Sequence, residues 1–303
     1  MSNPFTFEIE ETDFETTETG DFEVAPEEYP ESGPPEREAT EEEVQYSIII
    51  SPTSPGDGRV RVPAVTNSNL SSLKFPFNSI CLVEAWRNGK WIPWASGNLI
   101  APQVVLTAAH VLKANGGLEP KLRFTPGADF SASSAANKTP AAPKQMEVTS
   151  ARMKVHSSLD YGVAILPQKF AKPGMFVSLK ASLVCKPKDY MNVAGYPGDK
   201  PGGTMWFHAE PVLVSGLSPT HLRYTMDTCP GHSGSPVWVK LPNGTRIQVG
   251  IHTSGASGAG QKGRCNPPQA VPGQNTGVRV TAQLIQQVNA WCTQLGVQKP
   301  KVI

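Results

Sequence analysis

The chain has 303 residues and a formal net charge of +1, but that charge is unevenly divided. Residues 1–46 hold 16 of the 26 Asp/Glu and one of the 27 Lys/Arg, so an acidic segment is joined to a basic domain large enough for one sizeable core or two fused smaller ones. No apolar run approaches the roughly 18 residues of a membrane span, and 27 Gly and 29 Pro spread through short apolar runs exclude a helical bundle.

Residues 1–46 are rich in Glu, Thr and Pro and poor in aliphatics. They cannot bury enough apolar area to offset their ordering entropy, and they read as a disordered leader or pro-segment. Met1 to Glu8 has neither the basic start nor the apolar stretch of a signal peptide. The composition changes at Ser47-Ile48-Ile49-Ile50, and short strand-like runs follow. In chain order they are Ser79 to Trp86, Trp91 to Ile100, Val104 to Thr107, Met146 to Val155 and Gly162 to Leu166. Met191 to Gly195, Thr204 to Val214, His221 to Met226, Pro236 to Leu241 and Arg246 to His252 continue the series. Asn243-Gly244 between the last two is a two-residue hairpin signal. Ala128 to Gln145 and Gly255 to Gln274 read as long surface loops. One helix is expected at the end: Thr281 is its N-cap, and Leu284, Ile285, Val288, Trp291, Cys292 and Leu295 share a face. Many short strands without long helices between them indicate an all-β barrel or sandwich.

Cys81, Cys185, Cys229, Cys265 and Cys292 show no zinc-type spacing, and their odd number leaves at least one thiol unpaired within the chain.

Three segments carry chemistry: Leu106-Thr-Ala-Ala-His110, Leu159-Asp160-Tyr-Gly-Val-Ala-Ile-Leu166, and Asp227-Thr-Cys-Pro-Gly-His-Ser233-Gly-Ser-Pro236. A serine hydroxyl needs an adjacent base to become a nucleophile. An imidazole can take its proton, and a carboxylate fixes the imidazole's tautomer and stabilises its charged form. A glycine-flanked turn lets backbone N–H groups face a developing oxyanion, here those of Gly231 and Ser233. Each segment alone is weak evidence. Together, in the order His110, Asp160, Ser233, they match the order of the chymotrypsin-type triad. This chemistry needs no metal or organic cofactor.

On these segments the chain resembles the chymotrypsin-fold serine proteases, and among them the bacterial glutamyl endopeptidases. Further markers are Val193-Ala-Gly-Tyr-Pro-Gly-Asp-Lys-Pro-Gly-Gly-Thr-Met-Trp206 and Gly250-Ile-His-Thr-Ser-Gly255. The resemblance covers roughly residues 47–295. It implies two six-stranded antiparallel β-barrels with the active site in the cleft between them and a closing C-terminal helix. His110 and Asp160 would come from the first barrel and Ser233 from the second. Thr228 and His252 would line a pocket for an acidic side chain, giving cleavage after Glu and more slowly after Asp. Asp227 is a competing signal, because an Asp at this place in trypsin-like members selects Arg or Lys. An Asp directed into a Glu pocket would oppose the substrate's charge, so it must point elsewhere or be paired.

His232 stands where trypsin-like members have the Asp that pairs with a freed N-terminal amine, so activation cannot use that salt bridge. The resemblance makes residues 1–46 a removable pro-segment, cut near Tyr46–Ser47 or autolytically at Glu43–Val44, and residues 47–303 the protease domain. It also implies a Cys229–Cys265 disulfide, and Cys185 with Cys292 is a second candidate pair. The family is largely exported, so an extracellular enzyme is expected although no signal peptide is legible. The expected partners are protein or peptide substrates, acidic ones above all, since the basic domain would concentrate them. No basic-aromatic motif points to nucleic acid, no membrane contact is expected, and the chain is expected to be a monomer. The rivals are an Arg/Lys-specific protease using Asp227 and a catalytically silent protease-fold binding module.

Overall fold

Short runs that are apolar on one or both faces become strands throughout the computed structural model, which describes residues 58–62, 75–129, 144–170, 178–181, 190–211, 218–241, 243–255 and 275–303. All of these fall within one unit, Pro34–Ile303. The strands are Val60–Arg61 (β1), Ile80–Arg87 (β2), Lys90–Ala101 (β3), Val104–Thr107 (β4), Lys113–Ala114 (β5), Gly117–Leu118 (β6), Lys121–Pro126 (β7), Met146–Thr149 (β8) and Met153–Val155 (β9). They continue with Gly162–Ile165 (β10), Ser178–Leu179 (β11), Tyr190–Gly195 (β12), Trp206–Pro211 (β13), His221–Tyr224 (β14), Pro236–Lys240 (β15), Arg246–Ser254 (β16) and Asn275–Arg279 (β17). The α-helix is Ala282–Gln294 (α1).

The first sheet runs β8-β7-β2-β3-β4-β10-β9. Its two edge strands are one stretch of chain, separated only by the 3-10 turn Ser150–Arg152. β8 pairs with β7 and β9 pairs with β10, so a single bent segment closes the sheet on itself. Counted that way it is a six-stranded barrel. The second sheet runs β1-β13-β12-β15-β16-β17-β14, with β11 added alongside β16. Its strands β12 to β17 are the six of the second barrel, with β1 and β11 as additions.

Each barrel has its own core. Leu99, Val105, Leu106, Leu122, Phe124, Val163 and Ile165 are buried in the first, and Val193, Leu222, Val237, Ile247 and Val249 in the second. A third cluster joins the two: Ile80 and Leu82 of β2 pack with Ala194, Phe207 and Trp238, and Val60 and Val62 close it from the N-terminal side. Burial of each such side chain stabilises by roughly 1.5–3 kcal/mol.

Helix α1 follows the expected cap and face. Thr281 Oγ1 accepts from the Leu284 N–H at 3.1 Å, and Leu284, Ile285, Val288, Trp291 and Cys292 are buried. It ends at Gly296, whose left-handed φ of 65° suits a residue without a Cβ. Among the described residues no helix is long and apolar enough to cross a membrane.

The hairpin between β15 and β16 differs from expectation. The strands part at Lys240 and Arg246, so the connection holds five residues instead of two. Gly244 sits in it at φ 81°, its N–H bonded to the Leu241 carbonyl at 2.8 Å. Most of the expected loops, 130–143 and 256–274, lie outside the described residues.

Candidate active site

The antiparallel register of β4 and β10 sets the first half of the site, because Thr107 lies opposite Gly162. His110, three residues past Thr107, and Asp160, two before Gly162, therefore emerge at the same end of the barrel. His110 sits on the 3-10 turn Ala109–Leu112. Asp160 grips it at two points: Oδ1 accepts the His110 backbone N–H at 2.9 Å, and Oδ2 lies 2.7 Å from Nδ1. Burial pushes the Asp160 carboxyl up. The side-chain bond and the charge of His110 outweigh this, helped by the His110 and Ala109 backbone N–H groups, and hold the carboxyl below its usual range. An ionised Asp160 can only accept, so His110 carries its proton on Nδ1 and presents the Nε2 lone pair outward.

The loop holding Asp160 is shaped by a residue that sequence reasoning passed over. His156 Nδ1 accepts the Leu159 N–H at 2.9 Å, and its ring stacks on Tyr161 with centroids 4.8 Å apart. It stands only four residues before Asp160, but nothing in the local sequence shows that its ring turns back onto that loop.

Ser233 lies in the turn leading into β15, between Gly231 and Gly234, which adopt φ of 99° and 84°. This turn is pressed against the histidine barrel. A Cβ on Gly234 would fall 2.0 Å from Thr107 Oγ1, 2.2 Å from the Ser96 carbonyl and 3.1 Å from Ala108 N. The N–H groups of His232 and Ser235 are used inside the turn, on the Cys229 and His232 carbonyls at 2.9 and 2.8 Å. Those of Gly231 and Ser233 have no acceptor among the described residues. Ser233 and His110 are not hydrogen-bonded to each other there, a spacing that substrate commonly closes.

The candidate pocket lies where β16 passes this segment. The Gly234 N–H bonds the His252 carbonyl at 2.7 Å, and the His252 N–H bonds the Ser235 carbonyl at 2.9 Å. A Cβ on Gly255 would lie 3.7 Å from Thr228 Oγ1. Thr228 is 7% exposed, and its hydroxyl, with almost no access to solvent, has no hydrogen-bond partner among the described residues. The His252 ring is buried, with Nδ1 2.6 Å from the Tyr224 hydroxyl. Burial above all, then the neighbouring His110 charge, depresses its pKa to about 3, with Asp160 opposing weakly. His252 is therefore neutral near neutral pH, not poised to be charged. Burial also pushes the Tyr224 hydroxyl well above its usual value, so Tyr224 keeps its proton to donate.

Asp227 is turned to a different neighbourhood. Its Oδ2 accepts the Gly58 N–H at 2.5 Å and lies 3.5 Å from His208 Nδ1, which itself accepts the Asp227 N–H at 2.7 Å. The requirement that Asp227 be paired is met by the N-terminal strand.

The family model for the trypsin-like peptidase domain matches residues 95–259, more than half of the sequence. The chain belongs to the trypsin-like peptidases. The peptidase is 24% identical to a glutamyl endopeptidase of Bacillus licheniformis over 241 residues, covering 78% of this chain and 67% of that one. It is 25% identical over 265 residues to a protein of Bacillus subtilis named extracellular metalloprotease, covering 86% and 75%. A solved Glu endopeptidase in complex with MPD superposes with a TM-score of 0.53 at 22% identity, covering 77% of this chain and 96% of that one. The chain is thus a protease of the chymotrypsin fold that resembles the glutamyl endopeptidases.

The Gly195-Tyr-Pro-Gly-Asp199 marker, which had no catalytic logic in the sequence, packs in this peptidase directly beneath the serine turn. The Gly198 N–H bonds the Pro230 carbonyl at 2.7 Å, and a Cβ on Gly231 would fall 2.3 Å from the Tyr196 carbonyl. Asp199 is held by both guanidinium nitrogens of the buried Arg59, at 2.9 and 2.5 Å. His232, in place of the activation Asp, is buried and accepts the Cys229 N–H on Nδ1 at 3.1 Å. The cysteines bring one correction: Cys292, on the buried face of α1, is a free thiol, so it does not pair with Cys185. Cys81 is also free and buried. Cys229 is disulfide-bonded, and Cys265, its expected partner, lies outside the described residues. Among the described residues no group of three or more His, Cys, Asp or Glu is placed to share a metal ion.

Proposed function

We propose that this peptidase is a serine endopeptidase that cleaves after Glu, and more slowly after Asp. The observation that carries the reading is the two-point grip of Asp160 on His110 beside a serine turn whose Gly231 and Ser233 N–H groups have no acceptor among the described residues. His110 Nε2 takes the Ser233 proton as the oxygen attacks the scissile carbonyl, then returns it to the leaving amine. Asp160 holds the tautomer and stabilises the imidazolium, and the two amides receive the oxyanion. The acyl-enzyme is then hydrolysed by the same groups in reverse roles.

For specificity, a substrate carboxylate would accept from the Thr228 hydroxyl, which has no other partner among the described residues, and from His252. If the Tyr224 hydroxyl donates to Nδ1, the proton of neutral His252 sits on Nε2 and is available to the substrate. Asp227, engaged by Gly58, does not supply a basic-residue pocket in this reading.

Residues 47–303 form the protease domain, and residues 1–46 are an acidic pro-segment removed near Ser47. A Cys229–Cys265 disulfide braces the segment before the serine. The enzyme works as an extracellular monomer on acidic proteins or peptides, a reading supported by its basic domain and by a relative named as extracellular.

The test is digestion of a defined protein by the full chain and by a chain trimmed to Ser47, with every cut mapped by mass spectrometry. Cuts after Glu that vanish in Ser233→Ala and fall in His252→Ala are expected. Cuts after Arg or Lys would return Asp227 to the pocket, and silence from both forms would favour a binding module. N-terminal sequencing of the active form checks the pro-segment, since an active enzyme starting at Met1 would exclude its removal.

A further inference from the structure

Ser96, on β3 of the first barrel, is fully buried yet makes four polar contacts, three of them to the other barrel. Its Oγ donates to the Gly231 carbonyl at 2.8 Å and accepts the Tyr196 N–H at 2.9 Å. Its N–H donates to the Ser233 carbonyl at 2.9 Å. Its carbonyl accepts from Thr107 Oγ1 at 2.7 Å, on the strand that leads to His110. Two glycines make room for it: a Cβ on Gly195 would fall 2.5 Å from Ser96 Oγ, and one on Gly234 2.2 Å from the Ser96 carbonyl.

The consequence lies in peptide planes. Gly231 has no side chain to fix its backbone; its N–H lies in the Pro230–Gly231 peptide plane, and how far that plane can turn about Gly231 depends on how firmly the next peptide is held. The Pro230–Gly231 peptide is pinned at its carbonyl by Gly198, and the Gly231–His232 peptide at its carbonyl by Ser96 Oγ and at its N–H by the Cys229 carbonyl. The peptides flanking Ser233 are pinned by Ser235 and by the Ser96 N–H. We infer that Ser96 is a positioning residue for the reaction, its hydroxyl holding the peptide after Gly231 so that the Gly231 N–H keeps its direction toward the oxyanion, and its backbone holding the serine turn against the histidine strand. This rests on the function proposed above, for which Gly231 is an oxyanion donor. Ser96 touches no reacting atom. Preorganised donors are worth most when they need not reorient during reaction, so freeing one peptide should cost rate and not substrate binding.

Ser96→Ala removes the hydroxyl while keeping the backbone bonds to Ser233 and Thr107. On a peptide that the wild-type chain cleaves, kcat per titrated active site should fall about 10- to 100-fold, less than the loss of a whole oxyanion donor. KM should stay within about twofold, since the substrate's own contacts are untouched. The Ki of a matching peptide aldehyde, which forms a tetrahedral adduct, should rise in step with the loss in kcat/KM. Titration to end point with a covalent serine reagent separates a misfolded fraction from a slow enzyme. Thr107→Val, which cuts the other tie to Ser96, should lower kcat per site and Thr107→Ser restore it, a check that holds even if Ser96→Ala folds poorly. An active wild type whose Ser96→Ala and Thr107→Val variants match it per titrated site within about threefold overturns this inference alone. A wild type that cleaves nothing and takes up no serine reagent overturns it together with the proposed function.

Discussion

Thr228→Val is expected to move stability and activity in opposite directions. The Thr228 hydroxyl is buried and has no partner among the described residues, and an unsatisfied buried hydroxyl costs about 1–3 kcal/mol. Valine has nearly the same shape without that group, so the free enzyme should gain stability, on a scale of roughly 2–4 °C in Tm per kcal/mol for a domain of this size. In the complex the hydroxyl would donate to a carboxylate, a bond worth roughly 1.5–3 kcal/mol. Its loss should lower kcat/KM for Glu substrates about 10- to 150-fold. A Gln substrate of the same shape should lose far less. Differential scanning calorimetry and paired Glu and Gln peptides would read both effects. A variant that melts lower than wild type and still cleaves after Glu at an undiminished rate would refute the assignment of Thr228 to the pocket.

The remaining expectations are simpler. Asp160→Asn should reduce kcat by about 10³–10⁴, because an amide can hold His110 in the wrong tautomer, with KM and the far-UV spectrum unchanged. Gly234→Ala should lose both stability and activity, since its Cβ would collide with Thr107 and Ser96 in a left-handed backbone; thermal melts and peptide turnover would show it. Asp227→Asn should leave the ratio of Glu to Arg cleavage unchanged, as cut-site mapping would reveal, because its carboxylate faces Gly58 and His208. His252 gives a pH signature. Its folded pKa of about 3 lies below the unfolded value of 6.5. The unfolded chain therefore binds the extra proton in that window, and the stability from keeping His252 neutral is complete above pH 6.5 and lost as pH falls toward 3. Urea unfolding at pH 7 and 4.5 should differ by of the order of 2–3 kcal/mol less in His252→Gln than in wild type.

The strands and the chemistry-bearing segments were legible because they are local. Val104 to Thr107 and Gly162 to Leu166 announce themselves as β-branched and aliphatic runs, and their pairing brings His110 to Asp160. Lys121–Pro126 was not read as a strand, because its outward Lys121 and Arg123 and its terminal proline suggest a loop. In the fold those charges lie over Trp86 and Trp91, which cover that face. The two-residue hairpin was misjudged because Asn243-Gly244 specifies a turn but not where flanking strands separate. Ser96 could not be found at all: Tyr196 and Gly231 lie 100 and 135 residues further on, and nothing local sets it apart from any other serine in a strand. The same holds for the Gly195 to Asp199 segment, whose work is done on backbone carbonyls that a sequence does not display.

The short N-terminal strand limits how far any leader can be trimmed. Gly58 donates to Asp227, Arg59 neutralises Asp199, Arg61 pairs with Asp129, and Val60 and Val62 fill the contact between barrels. A cut beyond residue 62 would strip the counter-charge from Asp199, one residue from the glycine that pins the Pro230 carbonyl, and leave a hole beside Phe207 and Trp238. Losing Arg59, Val60 and Val62 is thus expected to cost the serine turn its support together with the contact between the barrels.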